Sequence, residues 1–255
     1  HLADAGLDPL LYHVEALATI TKEHLEHPKE LVDEYVAQGC RAVFLRPLNP
    51  FGYAKTTGAK VGYGAPEFLA FYRKALDYIL DLNRNGTQIL ERLAVIFLTK
   101  VLTPDDPNYM DIRSPCGAGI GQIAYNHDGS IFTCDEGRMV FQMGDEAFRI
   151  GSVENMSLRE VVTSDTVKSL ALASCLDSIP GCATCAYKPF CGTCPVINYG
   201  EQGNIFPQNP TNTRCAIYMG VQDRLFEILG GDDAKAREIF ENWVIVKDLD
   251  EYYHE

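Results

Sequence analysis

Eight of the nine cysteines in this 255-residue chain fall in or beside two spaced runs. Cys116 and Cys134 bracket Gly129 as C-x12-G-x4-C. Cys182, Cys185, Cys191 and Cys194 follow as C-x2-C-x5-C-x2-C, Cys215 closes the series, and Cys175 stands seven residues ahead of the dense run. Thiolates two residues apart are common metal-ligand pairs, because one tight turn then aims both at a single centre. An odd cysteine count in a chain this long argues against a disulfide framework. A [4Fe–4S] cluster takes four ligands, commonly thiolates, so eight cysteines match two clusters. Two zinc ions in closed four-thiolate sites would use the same eight. The pair at Cys116 and Cys134, brought together by a hairpin, tips the expectation toward iron–sulfur. Cys40 follows Gly39 and leads into an apolar strand, so it reads as a small buried hydrophobe outside the ligand set.

These thiols need elements to hold them. Gln122–Asn126 and Ser130–Thr133 flank His127-Asp128-Gly129, and Asp-Gly is a strong hairpin turn signal because the turn needs positive φ. Ser157 with Glu160 three residues on is a capping box that opens a helix to about Leu172. Arg214–Leu229 and Asp233–Val244 read as helices, and the acidic tail Asp248–Glu255 as frayed. Upstream, VEALATI (Val14–Ile20) reads as a buried strand and Pro28–Gln38 as a helix stopped by Gly39, with Leu31, Val32, Tyr35 and Val36 as its apolar stripe. AVFL (Ala42–Leu45) is a second buried strand. Strand, helix and strand with short links form a βα repeat with parallel strands, whose active sites lie beyond the strand carboxyl ends. Those ends are Thr19–Thr21 and Arg46–Pro50. Phe51–Gly64 reads as a Gly-rich loop over the mouth, Pro66–Leu82 and Gln88–Leu102 as helices. Pro104 and Pro107 then mark a boundary. The division expected is 1–109, 110–230 and 231–255.

Apolar residues make up 46% of the chain and charged residues 22%, as in a globular protein. A net charge of −13 with no basic patch argues against a nucleic-acid partner. The longest apolar run, Leu93–Leu98, is too short to span a membrane, and the N-terminus carries no secretory signal, so a cytoplasmic protein is expected.

The run from Cys116 to Cys215 resembles a SPASM domain, the auxiliary-cluster domain of many radical SAM peptide-modifying enzymes. That family's pattern is C-x9–15-G-x4-C, then C-x2-C-x5-C-x3-C, then a last Cys. Cys116, Gly129, Cys134, Cys182, Cys185, Cys191 and Cys215 match it. Cys194 departs, being reached after two residues rather than three. Residues 14–46 are similar to the last third of the radical SAM partial (β/α)6 barrel, with the two visible strands as the last two of six. "FLRPLNPFG" and "SPCGAGIGQIAYNHDG…TCDEGRM" further resemble the His-Xaa-Ser system radical SAM maturases.

The resemblance implies an α/β fold: the C-terminal part of the barrel followed by a small cysteine-rich domain of hairpin, helices and cluster-binding loops. It also implies an interleaved ligand scheme. Cys182, Cys185, Cys191 and Cys215 would hold an outer [4Fe–4S] cluster, and Cys116, Cys134 and Cys194 three irons of an inner one. The fourth inner position goes to Cys175 or stays open to substrate. Asp135 matches a carboxylate that acts as a base in related sulfatase-maturing enzymes, although a cap or surface role fits it equally. Thr21 and Arg46 would approach S-adenosylmethionine. The C-x3-C-x2-C motif that holds the SAM-binding cluster is absent, so the chain is expected to be the C-terminal part of a longer enzyme, next one half of a split one, and third a degenerate paralogue without radical chemistry; alone it is expected to be inactive. The full enzyme would bind S-adenosylmethionine and a third [4Fe–4S] cluster, take electrons from a donor and modify a precursor peptide by side-chain hydrogen abstraction. The competing expectation is a non-catalytic Fe–S or zinc scaffold that binds a peptide partner.

Overall fold

The structure is a computed structural model that describes residues 15–209 and 211–245. Val14 and the tail Asp248–Glu255 lie outside the described residues. The chain divides into two compact units.

The first unit takes in residues up to 47, 66–105 and 220 onward. Its sheet is parallel, in the order β1 (Glu15–Thr19), β2 (Ala42–Arg46), β3 (Leu90–Glu91). β1 and β2 pair from Glu15↔Ala42 to Thr19↔Arg46, as the βα repeat requires. α1 (Pro28–Ala37) makes the crossover, and β2 is buried from Ala42 to Leu45. The helices α3 (Ala65–Arg84) and α4 (Arg92–Leu102) supply the largest buried side chains, among them Phe68, Phe71, Tyr72 and Phe97.

One helix was expected over Gln88–Leu102, and the structure departs from that. Leu90 and Glu91 pair with Ala42 and Val43 as a third parallel strand, and the helix begins only at Arg92. Glu91 causes the switch. Its fully buried carboxylate caps α4 by accepting Leu93 N–H at 3.1 Å and Ala94 N–H at 2.7 Å. It also accepts Leu45 N–H at 3.1 Å and Tyr72 O–H at 2.6 Å. Burial raises the Glu91 pKa, and these four donors oppose that shift. A carboxylate is left in an apolar interior only when donors satisfy it this fully.

The second unit comprises 48–65 and 106–219. Phe51–Gly64 is not a plain loop, for it contains α2 (Tyr53–Val61), a helix with no fully buried residue. The antiparallel sheet runs β4 (Ala124–Tyr125), β5 (Ser130–Phe132), β6 (Arg149–Ser152). The expected hairpin joins β4 to β5, pairing Tyr125 with Ile131, and Gly129 takes φ +80° in its turn. β6 had no separate signal. α5 (Asp135–Gln142) lies between β5 and β6. The helix expected over Ser157–Leu172 is two helices, α6 (Leu158–Val162) and α7 (Asp165–Ser174). The capping box at Ser157 and Glu160 forms as read, but Ser164 starts a second helix by accepting Val167 N–H. α8 (Pro195–Gln202) precedes α9 (Thr213–Gly230), and α10 (Ala234–Trp243) completes the described helices. No helix among the described residues is long and apolar enough to cross a membrane.

Candidate metal centre

All nine cysteines are free thiols. Cys182, Cys185, Cys191 and Cys215 line one cavity of about 280 Å³ in the second unit. Successive tight turns bring the first three there. Cys185 N–H bonds Cys182 C=O at 3.0 Å, Lys188 N–H bonds Cys185 C=O at 3.2 Å, and Cys191 N–H bonds Lys188 C=O at 3.3 Å. The x2 spacing is one such turn and the x5 spacing is two. Lys188 Nζ holds Asp177 at 2.7 Å and pins the loop from outside.

Cys215 arrives from the start of α9 through a buried polar chain. Its N–H bonds Asn212 Oδ1 at 3.1 Å, Asn212 Nδ2 bonds Asn198 Oδ1 at 2.9 Å, and Asn198 Nδ2 bonds Thr193 Oγ1 at 3.1 Å. Asn209 Nδ2 donates to Cys182 Sγ at 2.9 Å. The loop carrying Cys191 rests on the chain entering Cys116. At Gly192 an added Cβ would stand 2.4 Å from Arg113 N and 2.5 Å from Asp111 O.

Cys116, Cys134 and Cys194 form a second group, all buried in the apolar core of this unit with Phe148, Val196 and Ile197. Two of them begin helices. Cys134 caps α5, its Sγ accepting Gly137 N–H at 3.4 Å, and Cys194 caps α8, its Sγ accepting Ile197 N–H at 3.5 Å. Both sulfurs therefore meet the positive end of a helix, which favours thiolate and metal ligation. Cys116 Sγ is met by Ala118 N–H, and its own N–H bonds Ser174 Oγ at 2.9 Å. Burial pushes the Cys116 and Cys134 thiols up to about 12 and Cys194 well above its ordinary value, where the neighbouring Cys116 and Cys134 add to the rise. Burial also drives Cys191 to about 12 and raises Cys182 and Cys215. Buried thiols of this kind ionise when a cation sits beside them, and a coordinating metal ion deprotonates a thiol outright.

Four thiols around one cavity of about 280 Å³ and three more in the apolar core supply the donor chemistry of a thiolate-held metal, which suits zinc and an iron–sulfur cluster alike. Among the described residues no three His, Cys, Asp or Glu side chains stand close enough together to grip a metal ion.

Cys175, the C-cap of α7, is half-buried and adjoins Ser174, whose hydroxyl takes the Cys116 N–H. Cys40 is half-buried rather than buried. Asp135 opens α5 and is held by Arg138, 2.6 Å from Nη2 and 3.0 Å from Nε. In the first unit Arg46 ends β2, and Thr21 stands just past β1, its N–H bonding His24 Nδ1 at 3.0 Å. Those two sit at the same carboxyl end of the parallel sheet, since Thr19 is the register partner of Arg46.

Sequence reasoning missed Asn209, Asn212 and Arg214 in the wall of the first cavity. The cue was available: NPTNTRC clusters polar residues just ahead of a candidate ligand.

Compared by sequence, the chain matches no protein-family model and no curated protein. Compared by structure, it overlays native anSMEcpe with bound AdoMet at a TM-score of 0.68, over 91% of this chain with 14% identity. Native anSMEcpe with bound AdoMet and Cp18Cys peptide overlays at 0.67, over 93% of this chain with 14% identity. The chain shares its fold with anSMEcpe. It spans 58% and 64% of the lengths of these two anSMEcpe chains.

Proposed function

We propose that this chain is the C-terminal part of a radical SAM enzyme that modifies a peptide, and that it carries two auxiliary [4Fe–4S] clusters. The observation that carries the reading is the gathering of seven thiols into two groups, four around a cavity and three in an apolar core. The shared fold supports it, since anSMEcpe is an anaerobic sulfatase-maturating enzyme of the radical SAM/SPASM class. The narrower likeness to the His-Xaa-Ser system maturases rests on the sequence stretches FLRPLNPFG and SPCGAGIGQIAYNHDG.

In this reading Cys182, Cys185, Cys191 and Cys215 hold the outer cluster, and Cys116, Cys134 and Cys194 the inner one. Cys175 or a substrate group completes the inner set. Such clusters supply one-electron redox chemistry when bound. The protein keeps the inner set dry: all three cysteines lie in the apolar core, and Phe148 and Ile197 help shut out water. Thr21 and Arg46 would meet S-adenosylmethionine at the strand ends. Asp135 would accept a proton from the substrate, and Arg138, 2.6 Å away, holds its carboxylate at the start of α5.

Anaerobic purification with iron, sulfide and zinc analysis tests the proposal. About eight irons per chain with matching sulfide is expected. Zinc without sulfide refutes it and favours the scaffold alternative.

A further inference from the structure

The cavity lined by Cys182, Cys185, Cys191 and Cys215 has a cation in its wall. Arg214, the residue before Cys215, is only 7% exposed. Its Nη2 donates to Asn49 Oδ1 at 2.6 Å, and its guanidinium lies 5.7 Å from the centre of the Tyr218 ring. Among the described residues it makes no ion pair within 4.0 Å, although a guanidinium has five donors and cannot lose its proton in a protein. Tyr218 O–H donates to Asp111 Oδ2 at 2.8 Å. Arg214 also lies close enough to Cys194 of the inner group for their charges to interact.

A buried cation is expensive unless something negative answers it. The Asp111 and Glu201 carboxylates answer Arg214 from beyond ion-pair distance, and the cavity wall that it shares with four cysteine thiols offers a place for further negative charge. A cluster held by four thiolates is an anion, and its negative charge grows on reduction. Charge near a cluster is one of the levers that set its potential.

We infer that Arg214 is a tuning residue of the metal centre, whose buried guanidinium in the cavity wall stabilises the reduced state of the outer cluster. Asn49, in the Arg46–Pro50 turn, holds the guanidinium in place. This rests on the proposal that the chain binds iron–sulfur clusters, and it concerns the potential rather than the presence of the clusters.

The test is an EPR-monitored redox titration of the reconstituted chain beside its iron content. Arg214→Gln is expected to keep its iron and to change the reduced-to-oxidised ratio at fixed potential about tenfold against reduction, ~59 mV for a one-electron couple. Arg214→Lys, which keeps the charge, is expected to recover most of that shift. Asn49→Asp answers the cation without removing it and is expected to lower the potential in the same direction, which decides the matter should Arg214→Gln fail to fold. Iron-loaded variants with the wild-type potential overturn the role of Arg214 alone. A wild-type chain that takes up no iron overturns the cluster reading and this inference together.

Discussion

Gly192→Ala probes the joint between the two groups of thiols. Gly192 lies between Cys191 of the first group and Cys194 of the second, and its backbone rests on the 111–113 segment that leads to Cys116. A methyl carbon there would stand 2.4 Å from Arg113 N, 2.5 Å from Asp111 O and 2.7 Å from Ile112 C, all backbone atoms that cannot rotate away. Reaching ordinary contact at 3.4 Å requires the loop to lift by about 1 Å. Overpacking of this kind costs roughly 1–3 kcal/mol, and a clash with backbone on three sides belongs near the upper end, about 3 kcal/mol. That corresponds to a fall of roughly 6–12 °C in the melting temperature of the metal-free protein. Metal ligation tolerates displacements of only ~0.2 Å, so the same lift should strip iron from both groups at once. The assay pairs thermal unfolding of the metal-free chain with iron and sulfide counts after reconstitution. Gly58→Ala is the control, since Gly58 lies within α2 with nothing within 4 Å of an added Cβ, and it should be neutral or slightly stabilising. A Gly192→Ala protein that melts with the wild type and loads full iron would refute the idea that this contact fixes both groups.

Three further outcomes are expected. Glu91→Gln replaces a carboxylate serving four donors with one acceptor and one donor group, leaving Ala94 N–H or Leu45 N–H unmet; a loss of about 3 kcal/mol in chemical denaturation is expected, and an unchanged midpoint would contradict it. Glu227 is held by Arg73 first and then Arg224, which bring its carboxyl down to about 2. Its stabilising effect is fully present above its ordinary value of 4.5 and is lost as pH falls from there toward 2. NMR titration of the carboxyl should show that low midpoint, and Glu227→Gln should flatten the acid limb of stability. Gly129→Ala puts a Cβ on a φ of +80° and 3.2 Å from Val153 Cγ2; a loss of about 1–2 kcal/mol is expected, and a change under a few tenths would mean the hairpin turn relaxes freely.

The legible parts of this fold were those with local causes. Pro28, Gly39, the Ser157 capping box and the Asp128-Gly129 turn each act within a few residues, and each element they mark is present. The failures came where a distant partner decides. Glu91 reads as a lone acid inside an apolar helix, and only the N–H of Leu45, brought alongside by strand pairing, turns it into a strand end and a cap. Ser164 was overlooked because the apolar spacing runs through it, while its hydroxyl starts a new helix. The gathering of Cys182, Cys185 and Cys191 was legible because x2 and x5 are whole numbers of tight turns. The side chains around them were not. Asn209, Asn212 and Arg214 come to the cavity through loop closure, and no period in the sequence announces that. α8 could have been found, for Pro195 at its first position and Gly203 at its end, with φ +70°, are ordinary boundary marks.

Cys134 and Cys194 each begin a helix, and this changes how substitutions there are to be interpreted. Sulfur is a weak acceptor, whereas Ser, Thr, Asp and Asn are the favoured caps. An alanine at either position removes two things at once, a proposed ligand and the lid on a row of open N–H groups. A serine removes only the first and caps better than the thiol it replaces. Serine variants would therefore hold the helix starts of α5 and α8 steady while the proposed ligand is withdrawn, and the difference between the serine and alanine series isolates how much of each helix start depends on its cap alone.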